Sequence, residues 1–157
     1  MRMLRRQICT GLAGGLLLAM ASSVKAQTDK PCPIEDIREF ILYFDIASTD
    51  VTVDGMAVIA AFAGFYKSSA TSAGPCRSAG KMSKVTVKGH TDTVGSPAAN
   101  MILSRKRADI VTDKLVKLGV PREIITVEGH GEEELAIATG DQVAEPLNRR
   151  VTIDPIF

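Results

Sequence analysis

The sequence predicts an α+β fold, a single domain of order β-α-β-α-β-β with a mixed four-stranded sheet and its helices packed on one face. Three observations lead there. Short β-branched runs alternate with two segments of helical period. Two of those runs end alike, in "TVKGH" (86–90) and "TVEGH" (126–130). Between them lies a long segment opened by Ser96-Pro97 and closed by Gly119 and Pro121. Strands alternating with helices imply parallel pairing for at least two strands. The echo fits two neighbouring parallel strands that end at one edge of the sheet, and ligands tend to bind outside that carboxyl edge. A length of 157 residues suits one domain.

The elements follow in order. Residues 39–47, "EFILYFDIA", are apolar, aromatic and β-branched enough for a buried strand. Asp54 then stands before "GMAVIAAFAGFYKS" as the expected N-cap of a first helix. Residues 68–83, rich in Ser, Ala and Gly, read as a loop. The second strand is 84–90, where Val85 and Val87 alternate with polar neighbours. Ser96 caps the second helix and Pro97 takes its first position. That helix runs to about Leu118, and Gly119 stops it. Residues 123–130 form the third strand. A polar stretch with room for a short helix leads to the fourth strand at 148–156.

The first 26 residues stand apart. Arg2, Arg5 and Arg6 precede an apolar run from about Ile8 to Ala21, and Val24-Lys25-Ala26 follows. This is the pattern of a secretory signal peptide cleaved after Ala26. The apolar run is shorter than the roughly 20 residues of a spanning helix, so no membrane-spanning segment is expected in the mature chain. Arg5-Arg6 fits twin-arginine export or simple positive charge. Cys9 lacks a lipobox context. Residues 27–38 then form a polar lead-in, and 39–157 form the domain. Removing Arg2, Arg5, Arg6 and Lys25 from the 19 basic residues leaves 15 against 18 acids, a net charge of −3. That balance, with no tryptophan, argues against a nucleic-acid partner. Cys32 and Cys76 remain, and an even pair in an exported chain reads as a disulfide. It would close a loop of about 45 residues, worth about 4 kcal/mol by chain entropy.

Chemistry concentrates around the second helix. Leu103, Val111, Leu115 and Leu118 mark its buried stripe. Asn100 and Arg107 lie seven apart on nearly the same face. Arg107 sits between Leu103 and Val111, so its guanidinium must reach water or a carboxylate. Either it flanks the core with a wet or ion-paired head, or it receives an anion bidentately. Asp92, at the end of the preceding strand, is either a capping carboxylate or a receiver of cations. Together Asp92 and Arg107 could hold a zwitterion, one end taking an ammonium and the other a carboxylate.

These residues fall into ordered blocks: Gly89-His90-Thr91-Asp92, Gly95, Asn100-Met101-Ile102-Leu103-Ser104-Arg105-Lys106-Arg107-Ala108, Gly129-His130-Gly131-Glu132 and Asn148-Arg149-Arg150-Val151. They resemble the OmpA-like peptidoglycan-binding domain over about 115 residues, and "YFDIAS" (43–48) resembles that family's first strand. The resemblance implies a non-catalytic grip on the diaminopimelate side chain of the peptidoglycan stem, in the periplasm or outer-membrane side of a Gram-negative-type envelope. It places the ammonium on Asp92 and the carboxylate on Arg107, with Asn100 and Thr91 lining the pocket. Arg149 and Arg150 match as well; Arg149 counts among the expected ligand-binding residues, and one of the two is expected to pair with an acid near the sheet end. No cofactor is implied, and other envelope proteins are further partners to expect. The chain departs from the family where Glu133, Glu134 and Leu135 replace the usual proline, where 132–148 is short, and where His130 replaces a common tyrosine. Two other readings compete. An interaction module would keep the fold with a degenerate pocket. A zinc hydrolase would use His90, Asp92, His130 and Glu132 as ligands at neighbouring strand ends.

Overall fold

The computed structural model describes residues 40–70 and 81–157. The expected signal peptide and lead-in, Cys32 and Cys76 of the expected disulfide, and most of the expected loop lie outside the described residues. Six principal elements follow in the expected order: β1 (Phe40–Tyr43), α1 (Val53–Ala70), β2 (Lys84–Gly89), α2 (Pro97–Lys117), β3 (Ile125–Gly129) and β4 (Arg150–Ile156). The sheet order is β1-β4-β2-β3. β4 is antiparallel to both neighbours, and β2 and β3 are parallel with Gly89 opposite Gly129. The sheet is therefore mixed, as expected, and the two similar strand ends are parallel neighbours in register.

One core joins both helices to the same sheet face. Leu42, Val85, Val87, Val127, Val151 and Ile153 point inward from the strands against Ile59 and Phe62 of α1 and Val111 and Leu115 of α2. Burying each such side chain stabilises the fold by roughly 1.5–3 kcal/mol. Phe40 meets Phe62 edge-on at 5.0 Å between ring centroids, which fastens β1 to α1.

Several boundaries differ from the sequence reading for identifiable reasons. β1 ends at Tyr43 rather than Ala47. Phe44 still donates its N–H to the Arg149 carbonyl, and the chain then turns away from the sheet through Ala47, which has a positive φ. The cap of α1 is Thr52, not Asp54: the Thr52 hydroxyl accepts from Gly55 N–H at 3.1 Å. Asp54 sits in the first turn, where its charge complements the helix dipole. α1 also continues through Ser68 and Ser69 to Ala70, into the expected loop. Those hydroxyls bond the carbonyls of Phe65 and Tyr66 one turn back. β3 and β4 each start two residues late, after 3-10 turns at Arg122–Ile124 and Pro146–Asn148.

α2 starts and stops as expected. Ser96 Oγ accepts from Ala99 N–H, and Pro97 follows it. At the other end Gly119 adopts a positive φ. Gly119 N–H bonds Val116 and Val120 N–H bonds Leu115, which together close a Schellman motif. The buried stripe is more polar than expected. Leu103 and Leu118 are only half-buried, while Asn100, Ser104, Arg107 and Thr112 are buried with Ala108, Val111 and Leu115.

Candidate functional site

The site lies where β2 and β3 end and α2 begins. Glycine at both strand ends lets the helix come close. A Cβ on Gly89 would collide with the Ser104 carbonyl oxygen, and one on Gly129 would stand 2.9 Å from Arg105 N. Two residues on, Gly131 turns with a φ of 54° and donates its N–H to Ser104 Oγ. The repeated Gly-His pair is thus a packing device in its first residue, seating one helix on two parallel strands.

Arg107 is completely buried, at 0% exposure. Its Nε donates to the Ser48 carbonyl at 2.8 Å, Nη2 to the Asp45 carbonyl at 2.9 Å and Nη1 to the His90 carbonyl at 3.2 Å. The guanidinium also stands 5.0 Å from the Phe44 ring centroid, a cation–π distance. Its head is therefore neither wet nor bonded directly to a carboxylate: the turn after β1 supplies carbonyls instead. A guanidinium has five N–H groups, so one on each terminal nitrogen is left over. Burial, and after it the nearby Arg149 cation, push the Arg107 pKa down to about 10, while the Asp92 carboxylate opposes both. Arg107 remains cationic at neutral pH.

Asp92 is also buried, at 4% exposure. Its Oδ2 pairs with Arg149 Nη1 at 3.0 Å. Arg149 holds position by donating Nε to the Phe44 carbonyl. Of the two adjacent arginines, Arg149 is the one that meets an acid near the sheet end. Asn100 uses Nδ2 twice, donating to the Asp92 carbonyl at 3.2 Å and to Glu132 Oε2 at 2.6 Å. Thr91 is buried, with its N–H on the Gly131 carbonyl and its hydroxyl without a partner. Asp92, Arg107, Asn100, Thr91 and Arg149 therefore belong to one cluster. Glu132 joins it, although its sequence position points to a ligand role only in the zinc alternative. Its signal is its place directly after β3, in the block that parallels Gly-His-Thr-Asp.

The long connection between β3 and β4 is fastened beside this cluster. Thr93 Oγ1 donates to the Gly140 carbonyl and accepts from Val143 N–H. Gln142 and Gly95 exchange two hydrogen bonds between side chain and backbone. Asn148 brackets Ile137 with another matched pair. A groove of about 320 Å³ runs between β1 and α1, lined by Leu42, Phe44, Asp45, Thr52, Gly55 and Arg149.

Of the four residues of the zinc alternative, the two histidines stay together and the two acids are engaged by other side chains. His90 and His130 stack at 5.2 Å between ring centroids. His130 faces Glu128 at 3.2 Å and Glu134 at 3.3 Å. Asp92 is engaged by Arg149 and Glu132 by Asn100. Among the described residues, no three His, Cys, Asp or Glu side chains group to hold a metal ion. Burial lowers the His90 pKa to about 3, helped by the charges of Arg150, His130 and Lys88, so this imidazole stays neutral. Among the described residues, no helix is long and apolar enough to cross a membrane.

The chain is 30% identical over 135 residues to the peptidoglycan-associated lipoprotein of Haemophilus influenzae, covering 85% of this chain and 81% of that protein. It is 32% identical over 116 residues to outer membrane protein A of Yersinia pseudotuberculosis, covering 71% of this chain but only 30% of that protein. It thus spans less than a third of the length of that relative. The crystal structure of the peptidoglycan-associated lipoprotein from Burkholderia pseudomallei matches with a TM-score of 0.61 at 25% identity, over 74% of this chain and 89% of that one. The C-terminal domain of Helicobacter pylori MotB shares the fold with a TM-score of 0.58 at 20% identity, over 74% of this chain and 84% of that one. The family model described as "OmpA family" matches residues 43–149, and the chain accordingly belongs to the OmpA family.

Proposed function

We propose that this protein binds peptidoglycan without catalysis, gripping the zwitterionic end of a diaminopimelate side chain. The observation that carries the reading is the close burial of opposite charges at the carboxyl edge of the parallel strands: Asp92 at 4% exposure and Arg107 at 0%. Buried charges are costly unless paired. Two guanidiniums, Arg107 and Arg149, share Asp92 as the carboxylate acting on Arg107. An incoming carboxylate would balance that excess and take up the remaining N–H groups of Arg107. The ammonium of the same ligand would go to the Asp92 side, with Asn100 and Thr91 completing the pocket. The groove beside Arg149 leaves room for neighbouring parts of the peptide. Relatives named peptidoglycan-associated lipoprotein support both the ligand and a place in the envelope of a Gram-negative-type bacterium, at the periplasmic side of the outer membrane.

Because Arg107 is closed over by the turn after β1, binding requires that turn or the Arg149 side chain to shift. The test is co-sedimentation of the mature protein with purified sacculi. Wild type is expected to pellet, and Asp92→Asn and Arg107→Ala are expected to lose at least about tenfold in bound fraction, as removal of a charge-assisted contact implies. Thermal melts must show each variant folded, since Arg107 also holds three carbonyls. Equal pelleting of folded wild type and Asp92→Asn would remove the site.

A further inference from the structure

The two poles of this site are unequally satisfied, and that inequality points to Glu132. Asp92 already has a cation on its carboxylate, the Arg149 guanidinium at 3.0 Å. Glu132 has no ion pair among the described residues. Its interaction is the neutral amide of Asn100, at 2.6 Å. The same amide nitrogen reaches the Asp92 backbone carbonyl at 3.2 Å, so Asn100 ties Glu132 to the Asp92 backbone at the first turn of α2. Glu132 is half-buried, whereas Asp92 and Arg107 are buried, so it is the member of the cluster that an entering ligand meets with its charge unmatched. It follows the turn at Gly131, which has a φ of 54° and where a Cβ would stand 3.1 Å from Met101 N, tighter than ordinary contact.

The charge order along the site follows from these contacts. Arg107 and Arg149 form the cationic pole. Asp92 sits against Arg149. Glu132 is held by Asn100 and does not figure among the charges that act on Arg107. A zwitterion with its carboxylate on Arg107 and its ammonium on the Asp92 side would meet Glu132, held through the Asn100 amide, as the nearby anion not yet matched by a cation. We infer that Glu132 is a cation-receiving residue of this site and selects ligands carrying a free ammonium beside their carboxylate. This rests on the peptidoglycan reading above and adds to it a residue and a selectivity.

The test uses three stem tripeptides, which end in meso-diaminopimelate, in lysine (lacking the distal carboxylate) and in 2-aminopimelate (lacking the distal ammonium). Binding to the mature protein is followed by NMR titration. Glu132→Gln keeps an acceptor for Asn100 and removes only the charge. The expected result is a loss of about tenfold for the diaminopimelate and lysine peptides, with the 2-aminopimelate peptide changed by less than about twofold. An equal loss for all three would make Glu132 a positioning residue for Asn100 and overturn the inference, as would no loss for any. If wild type binds none of the three, the peptidoglycan reading itself falls. The 2-aminopimelate peptide also reports that the variant is folded.

Discussion

His90 is buried against a second imidazole with Lys88 and Arg150 nearby, and burial first, then these charges, sets its protonation. Its pKa falls from 6.5 to about 3, burial being the largest cause. The unfolded chain therefore binds a proton between those values that the folded chain refuses. Stability from a neutral His90 is complete above pH 6.5 and declines as pH falls toward 3, by roughly 3 kcal/mol at pH 4. Urea unfolding at pH 7 and pH 4 should show this loss in wild type. His90→Tyr, which keeps an aromatic ring there and cannot take the proton, should lose less by about that amount. Matching losses in the two proteins would mean that His90 does not drive the acid sensitivity. Asp92 and Arg149 show how an ion pair can hide in a sequence. Both lie in recognisable blocks, and their contact joins residues 57 apart. Nothing local in either block says that Arg149, rather than Arg150, turns toward Asp92.

At the scale of elements, most of the fold is legible because its signals are local. Ser96-Pro97 and Gly119 bracket α2 by satisfying its own free N–H and C=O groups. Alternating valines mark β2, and the shared "GH" ends mark a parallel pair. β1 is shorter than its apolar run for a non-local reason: apolar residues continue past Tyr43, but the chain leaves the sheet to bring the Asp45 and Ser48 carbonyls to Arg107 on α2. Glycine substitutions separate local from non-local roles. Gly64 is an exposed position in α1, and an added methyl there would meet nothing within 4 Å, so Gly64→Ala should stabilise by up to about 1 kcal/mol through helix propensity. The same change at Gly89 drives a methyl into the Ser104 backbone and should destabilise by about 3 kcal/mol or more. Thermal or urea denaturation of the two variants gives both signs. A neutral Gly89→Ala would show that α2 can retreat from the strand ends without loss.

The whole molecule brings chain ends and cysteines into one question. Of the candidate site, the block positions of Asp92, Asn100 and Arg107 mark them out in the sequence as residues of one cluster. What each touches is not legible there, since those partners come from turns far away along the chain. The cysteine pair is the reverse case: the disulfide is a proposal that comes from the sequence, and the described fold bears only on the reach it would need. Phe40, at the start of β1, packs against Phe65 near the end of α1, with ring centroids 5.8 Å apart. The chain therefore enters β1 and leaves α1 at the same end of the core. Cys32 lies eight residues before Phe40 and Cys76 six residues after Ala70. At about 3.3 Å per extended residue, spans of roughly 26 and 20 Å let the two sulfurs meet. A disulfide there would tie the lead-in to the α1–β2 connection and reduce the entropy of the unfolded chain. Exported protein alkylated under denaturing, non-reducing conditions should take up no label, and after reduction two labels per mature chain. Its melting midpoint should fall on reduction, for a stabilisation of up to about 4 kcal/mol. The Cys32→Ser variant should melt with the reduced protein and be unaffected by reductant. Two labels in the native exported chain before reduction would leave these cysteines as free thiols and the lead-in unfastened.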